Sequence, residues 1–186
     1  PRSILLATDL SCRCDRALDR AVELSHRWGA RLIIAHVMAP NRAVGLRDTP
    51  AWHRAPDAVE RMRWRIRRDL AGDRADVEIC VEEGDPAERL LAVAREKQCD
   101  LILTGIARNE MLGRIFLGTT INQLVRQAAM PVLVVKDRVS RSYQKIAVAT
   151  DFSDSSRHAL ATTVGCFPNA DIVLLHGYDF PFAGFR

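Results

Sequence analysis

The chain has 186 residues, of which 48% are hydrophobic and 27% charged, and a formal net charge of +4. That balance fits a folded globular protein and excludes a disordered chain, which has too little apolar surface to bury. No apolar run approaches the roughly 18 residues of a membrane span, and Pro1-Arg2-Ser3 has no secretory layout. The expectation is a cytoplasmic protein with no membrane partner. At roughly 150 residues per domain the length is an awkward one and a quarter domains.

Ser3–Thr8 (SILLAT) is a short apolar run, and Asp9-Leu10-Ser11 follows as a cap-like turn. Ala17, Ala21, Leu24 and Trp28 mark one face of a helix that stops at Gly29. Arg31–Met38 is continuously apolar, as a parallel strand covered on both faces is. Pro40, Gly45, Pro50 and Pro56 make residues 39–56 a loop. Val59, Met62, Ile66 and Leu70 then recur at helical spacing and leave Arg61, Arg63, Arg65, Arg67 and Arg68 on the other faces. A strand is expected over Ala75–Glu83. Gly84-Asp85-Pro86 turns into a helix through Leu90, Leu91 and Ala94, with Pro86 at a tolerated first-turn position. Asp100–Thr104 is a fourth strand ending at Gly105, a helix follows from about Gly118 to Ala128, and Pro131–Val135 is a fifth strand. Such alternation predicts an α/β fold over residues 1–136, an open five-stranded parallel sheet, Rossmann-like; with the first strand taken as central, the winding gives the strand order 3-2-1-4-5.

The pI near 9.0 invites a polyanion reading. Yet only Lys97, Lys136 and Lys145 are lysines, so 24 of the 27 basic residues are arginine. A bias that uniform reflects genome composition more than a binding patch, and the arginine-rich helix reads as a solvated face. No nucleic-acid partner is expected; a mobility shift persisting at high salt would reverse that. The five cysteines are an odd number and widely spaced, which points to reduced thiols. Cys12-Arg13-Cys14 could be half of a metal or redox site, but no second Cys/His pair has ligand spacing, so no metal site is expected.

An internal repeat accounts for the extra length. Ile4–Ser11 (ILLATDLS) matches Ile146–Ser153 (IAVATDFS), and Ala17-Leu18 matches Ala159-Leu160. After a two-residue deletion Ala30 matches Ala170 and His36 matches His176. Residues 137–143 read as a linker, and 144–186 as a truncated second repeat that halts after its second strand, a strand–helix–strand fragment.

In an open parallel sheet, ligands bind where the winding reverses, here between the carboxyl ends of strands one and four. Those ends are Thr8-Asp9-Leu10 and the loop opening at Gly105, which reaches Gly118-Thr119-Thr120 at a helix N-terminus, where amides and dipole favour phosphate. A carboxylate facing such a loop points to a nucleotide. Equally, Asp9 could cap the first helix, and Thr119 and Thr120 the fourth. His36 and His176 sit at corresponding strand ends and read as structural, since no nucleophile–base pair accompanies them.

These residues resemble the universal stress protein family. The resemblance is carried by Ala7-Thr8-Asp9, His36-Val37, Gly84-x-Pro86, Asp100–Gly105 (DLILTG), the glycine loop and Pro131–Lys136 (PVLVVK). Residues 1–136 cover one such domain and 144–186 the opening third of another, a layout similar to the tandem subfamily. The resemblance implies a stress-response regulatory protein binding ATP or another adenine nucleotide, with magnesium as an accompanying ion. In the family loop G-x2-G-x9-G-[S/T], Gly105 is the first glycine, Gly118 the last, and Thr119 takes the hydroxyl position. Arg108 replaces the second glycine; either its guanidinium serves the phosphates or the pocket has been abandoned.

By the same resemblance, Thr8-Asp9 would contact adenine or ribose, Val37 would offer backbone contacts to the base, and Thr119 and Thr120 would bond phosphate oxygens. The alternative is an interaction module that binds no nucleotide. Adenylating enzymes of related folds need HxGH-like or SGGxDS-like motifs, and Thr8–Cys14 holds neither. No catalytic residue is expected, and at most a weak ATPase or self-phosphorylation on Thr119 or Thr120. The resemblance also implies a homodimer, through Val132–Val135 or through residues 144–186, and a protein partner whose identity the sequence does not disclose.

Overall fold

A computed structural model of the chain describes residues 1–11, 14–39, 58–70, 77–106, 110–111, 114–115 and 118–178. The chain divides into two compact units, Pro1–Val139 and Ser140–Arg186.

The first unit runs β1 (Ser3–Thr8), α1 (Asp15–Trp28), β2 (Arg31–Met38), α2 (Ala58–Asp69), β3 (Val77–Glu83), α3 (Pro86–Glu96), β4 (Leu101–Gly105), the two-residue strands β5 (Glu110–Met111) and β6 (Arg114–Ile115), α4 (Thr119–Gln127) and β7 (Val132–Val135). Its main sheet has the order β3-β2-β1-β4-β7, and every neighbouring pair is parallel. With β7 as the fifth long strand, this is the expected 3-2-1-4-5 winding. The third strand begins at Val77, residues 75 and 76 lying outside the described ones. The pairing of β5 with β6 is antiparallel and falls in the stretch read from sequence as plain loop.

Burial explains why the central strands read as continuous apolar runs. Ile4, Leu5, Ile33 and Ile102 are wholly buried, because helices cover both faces of the sheet. Leu18 of α1 and Ile66 of α2 approach Leu6 and Ile34 on one face. Leu90, Leu91 and Ala94 of α3 and Leu124 of α4 pack on Leu5, Ala7, Ile33 and Ala35 on the other. At the amino end of the sheet, Asp100 Oδ2 accepts the amides of Arg2 and Ser3 at 2.6 and 3.0 Å, which fixes β4 against β1. In the edge strand β7, Val135 is buried and Val132, Leu133 and Val134 are half-buried.

Turn chemistry delimits the helices. Asp85 caps α3, its carboxylate accepting the Glu88 amide at 2.9 Å, and Pro86 occupies the first helical position, where no amide is needed. Gly84 before it has φ +135°, open chiefly to glycine, which accounts for the Gly84-x-Pro86 signature. Gly29 ends α1 in the left-handed region (φ 59°), and the Ala30 amide reaches back to the Ser25 carbonyl at 2.9 Å.

The second unit is β8 (Lys145–Ala149), α5 (Asp154–Cys166) and β9 (Asp171–Leu175), with β8 and β9 parallel. Its helix buries no residue, and Val173, Leu174 and Leu175 are 49–62% exposed.

A Cβ at Gly29 would meet nothing within 4 Å, so a substitution there incurs only backbone strain. Gly29→Ala should therefore lower stability by about 1 kcal/mol, about 3 °C in melting temperature, and Gly29→Asn by less. Thermal unfolding followed by circular dichroism checks both; equal melting temperatures for all three would contradict the left-handed cap.

Candidate functional site

The site begins with a turn at the carboxyl end of β1. The Thr8 hydroxyl accepts the Leu10 amide at 3.0 Å, and Asp9 Oδ1 accepts the Ser11 amide at 2.8 Å. Between these bonds Leu10 takes φ 58°, a left-handed conformation that an unbranched-β residue tolerates when neighbours fix it. From β2, His36 Nδ1 donates to the Thr8 carbonyl at 2.9 Å, so the proton of that ring sits on Nδ1 and the histidine is structural. Asp9 is not the cap of α1. The cap position is Cys14, whose amide donates to the Ser11 carbonyl at 2.9 Å.

The Cys14 thiol donates to Asp9 Oδ1 at 3.0 Å. Burial raises its pKa above the ordinary thiol value, and the hydrogen bond to the Asp9 carboxylate raises it further. It is a neutral polar wall of the site rather than a nucleophile.

Above this turn lies a cavity of about 210 Å³. Thr8, Asp9 and Cys14 come from the β1 end, Val37 from β2, Thr104, Gly105 and Ile106 from the β4 end, and Thr120 and Ile121 from α4. Leu90 of α3 and Leu124 of α4 complete an apolar floor. The fold thus brings Thr8, Asp9, Val37, Gly105 and Thr120 together around one cavity, at the point where the winding reverses. Thr119 is exposed at the first turn of α4, and Gly118 is the cap of that helix. Neither lines the cavity. Arg108 lies outside the described residues, as does Cys12 of the Cys12-Arg13-Cys14 pair.

Sequence reasoning missed Cys14, Thr104 and the apolar floor. Cys14 lies five residues beyond Asp9, across the turn into α1, and an apolar floor looks like ordinary core in a sequence. The two helix starts at the cavity have a common property. Neither Cys14 of α1 nor Gly118 of α4 makes a side-chain cap bond, whereas Asp85 and Ser153 cap α3 and α5. The first amides of α4 are consequently not taken up by a side-chain cap.

The second unit repeats the turn atom for atom. The Thr150 hydroxyl accepts the Phe152 amide at 3.0 Å, Asp151 Oδ1 accepts the Ser153 amide at 3.0 Å, and Phe152 has φ 65°. His176 Nδ1 donates to the Thr150 carbonyl at 2.7 Å. The Ser153 hydroxyl and amide, with the Ser156 hydroxyl, hold the Asp151 carboxyl down at about 2. Among the described residues no group of three or more His, Cys, Asp or Glu could hold a metal ion, and no helix is long and apolar enough to cross a membrane.

An open parallel sheet with helices on both faces and a cavity at its winding reversal defines the doubly wound α/β class. A family model described as "Universal stress protein family" matches residues 1–136. A universal stress protein of Thermus aquaticus is 29% identical over 144 residues, covering 73% of this chain and 98% of that protein. A crystal structure of a universal stress protein in complex with cAMP superposes with a TM-score of 0.54 at 25% identity, covering 73% of this chain and 96% of that one. The Archaeoglobus fulgidus universal stress protein in complex with dAMP superposes with a TM-score of 0.50 at 21% identity, covering 73% and 98%. The chain belongs to the universal stress protein family.

Since the Asp9 carboxylate raises the Cys14 pKa, Cys14 should alkylate more slowly with iodoacetamide near neutral pH than an exposed thiol peptide does. Asp9→Ala should accelerate it severalfold. Peptide mass spectrometry over time measures both, and an unchanged rate in Asp9→Ala would contradict the link.

Proposed function

We propose that the chain is a stress-response regulatory protein that binds an adenine nucleotide in the cavity between the carboxyl ends of β1 and β4. The observation carrying this reading is the composition of that cavity: apolar Val37, Leu90, Ile121 and Leu124 with a few polar groups, Thr8, Asp9, Thr104 and Thr120. Such a lining suits a flat heteroaromatic base oriented by a few placed hydrogen bonds. A volume of about 210 Å³ suits the base alone, with the phosphates outside it.

On this reading Asp9 accepts a ribose or base proton, and Val37 meets the base. Thr120, with Thr119 beside it, faces the phosphates across the first amides of α4. Gly105 allows the backbone to approach. Arg108 would supply a guanidinium to the same phosphates. The cAMP- and dAMP-bound relatives give this reading weight, as proteins of the same fold whose bound ligands carry adenine. Magnesium would accompany a di- or triphosphate. Nucleotide occupancy, rather than turnover, is the proposed output. The second reading, a module that binds no nucleotide, draws its support from Arg108 at the second glycine position of the loop.

Isothermal titration with ATP, AMP and cAMP tests this. Saturable binding of at least one is expected, weakened about tenfold, worth about 1.4 kcal/mol, by Asp9→Ala. Gly118→Val should weaken the phosphate-bearing ligands while preserving the fold, because Gly118 has an ordinary extended backbone (φ −61°, ψ 163°). No heat with any adenine nucleotide at millimolar concentration, from a protein that melts cooperatively, would favour the second reading.

A further inference from the structure

Helix α2 docks through its apolar side: Ile66 is buried, and Val59, Met62 and Leu70 are half-buried. Its outer side carries Arg61, Trp64, Arg65 and Arg68, three or four residues apart and so on one face. Arginines alone make a solvated surface. The indole among them changes the chemistry. Tryptophan is ordinarily well buried, yet Trp64 is 61% exposed, and the Arg68 guanidinium lies 5.1 Å from its ring centroid. Trp64 and the three arginines line an open groove of about 690 Å³.

Among the described residues, α2 carries Arg61, Arg63, Arg65, Arg67 and Arg68 against Glu60 and Asp69; Glu60 is held by Arg63 at 3.0 Å, and Asp69 lies 3.6 Å from Arg68. Arg65 donates to the Leu10 carbonyl at 2.7 Å, a neutral acceptor that leaves its charge in place. Arg61 to Arg68 spans about 10 Å along the helix, about three stacked nucleotides.

We propose that this face binds single-stranded nucleic acid, with Trp64 stacked on a base and Arg61, Arg65 and Arg68 at the phosphates of adjoining nucleotides. A duplex hides the base faces that an exposed indole reads, and a single strand offers them. An anionic membrane is the poorer match. The apolar residues of α2 are already committed to the protein, which leaves one indole where an interfacial helix buries a whole apolar face.

The test is fluorescence anisotropy of a short labelled oligothymidylate, which contains no adenine and so does not report the switch-point cavity. Binding should fall with salt with a log–log slope of about −2, three phosphates at about −0.7 each. Trp64→Ala should weaken binding about tenfold at fixed salt and Trp64→Phe much less. Arg61→Gln with Arg68→Gln should flatten the slope to about −0.7. All these positions are on the surface, so each variant should melt as the parent does. Three results would overturn the proposal: no anisotropy change at roughly 50 mM salt, equal affinity of Trp64→Ala and parent, or binding to phosphatidylserine vesicles without binding to the oligomer.

Discussion

The hydrogen-bonded turn at the carboxyl end of β1 is the constraint on which the candidate site depends. A strand that ends in a parallel sheet must release its carbonyls and amides into a loop, and each needs a partner. Here Thr8 and Asp9 take the two amides that follow them, and His36 takes the Thr8 carbonyl from the neighbouring strand. The chain is thereby forced through a left-handed residue, Leu10, and delivered to α1 with the Asp9 carboxylate at the cavity wall. Because the histidine belongs to β2, the turn also fixes the end of the strand that supplies Val37. One small network therefore positions the β1 and β2 sides of the cavity.

Its recurrence in the second unit separates what the turn needs from what the cavity needs. Thr150, Asp151, Phe152 and His176 reproduce the same bonds on a fragment of two strands and one helix. The turn is therefore a local property of strand, turn, helix and next strand. The cavity is not. In the first unit Ile33 and Ala35 are fully buried beneath α3 and its neighbours, while Val173 and Leu175, at the corresponding positions of β9, are 49% and 62% exposed. What α3, β4 and α4 add is the apolar floor and the uncapped first amides of α4, and the described part of the second unit holds no such elements.

Much of this was legible in the residues. The repeat could be read because Ala-Thr-Asp-x-Ser carries its own hydrogen bonds, so both copies keep the same letters. The parallel sheet followed from continuous apolar strands separated by helical spacing, and its order from taking the first strand as central. Thr8, Asp9, Gly105 and Thr120 follow from position at strand ends and one helix start, and Val37 from the family resemblance. Other features were not legible for physical reasons. Strands of two residues, such as Glu110–Met111, carry no periodicity. Leu90 and Leu124 face the cavity with the same apolar side that builds the core. Cys14 reads as an ordinary first-turn residue until its bond to Asp9 is seen. The arginine face of α2 read as solvent-facing and is exposed; the indole of Trp64 within it was not singled out, because one tryptophan carries no periodicity.

The central claim is that adenine nucleotide occupies the β1–β4 cavity of the first unit and that the repeated turn of the second unit cannot hold it alone. Backbone amide NMR during titration with AMP tests both halves in one sample, because the two turns are chemically matched. The account predicts that the amides of Leu10, Ser11, Val37, Gly105 and Thr120 shift together and saturably, while those of Phe152 and Ser153 stay in place. Shifts of equal size in both turns, or shifts confined to residues outside the cavity, would contradict it.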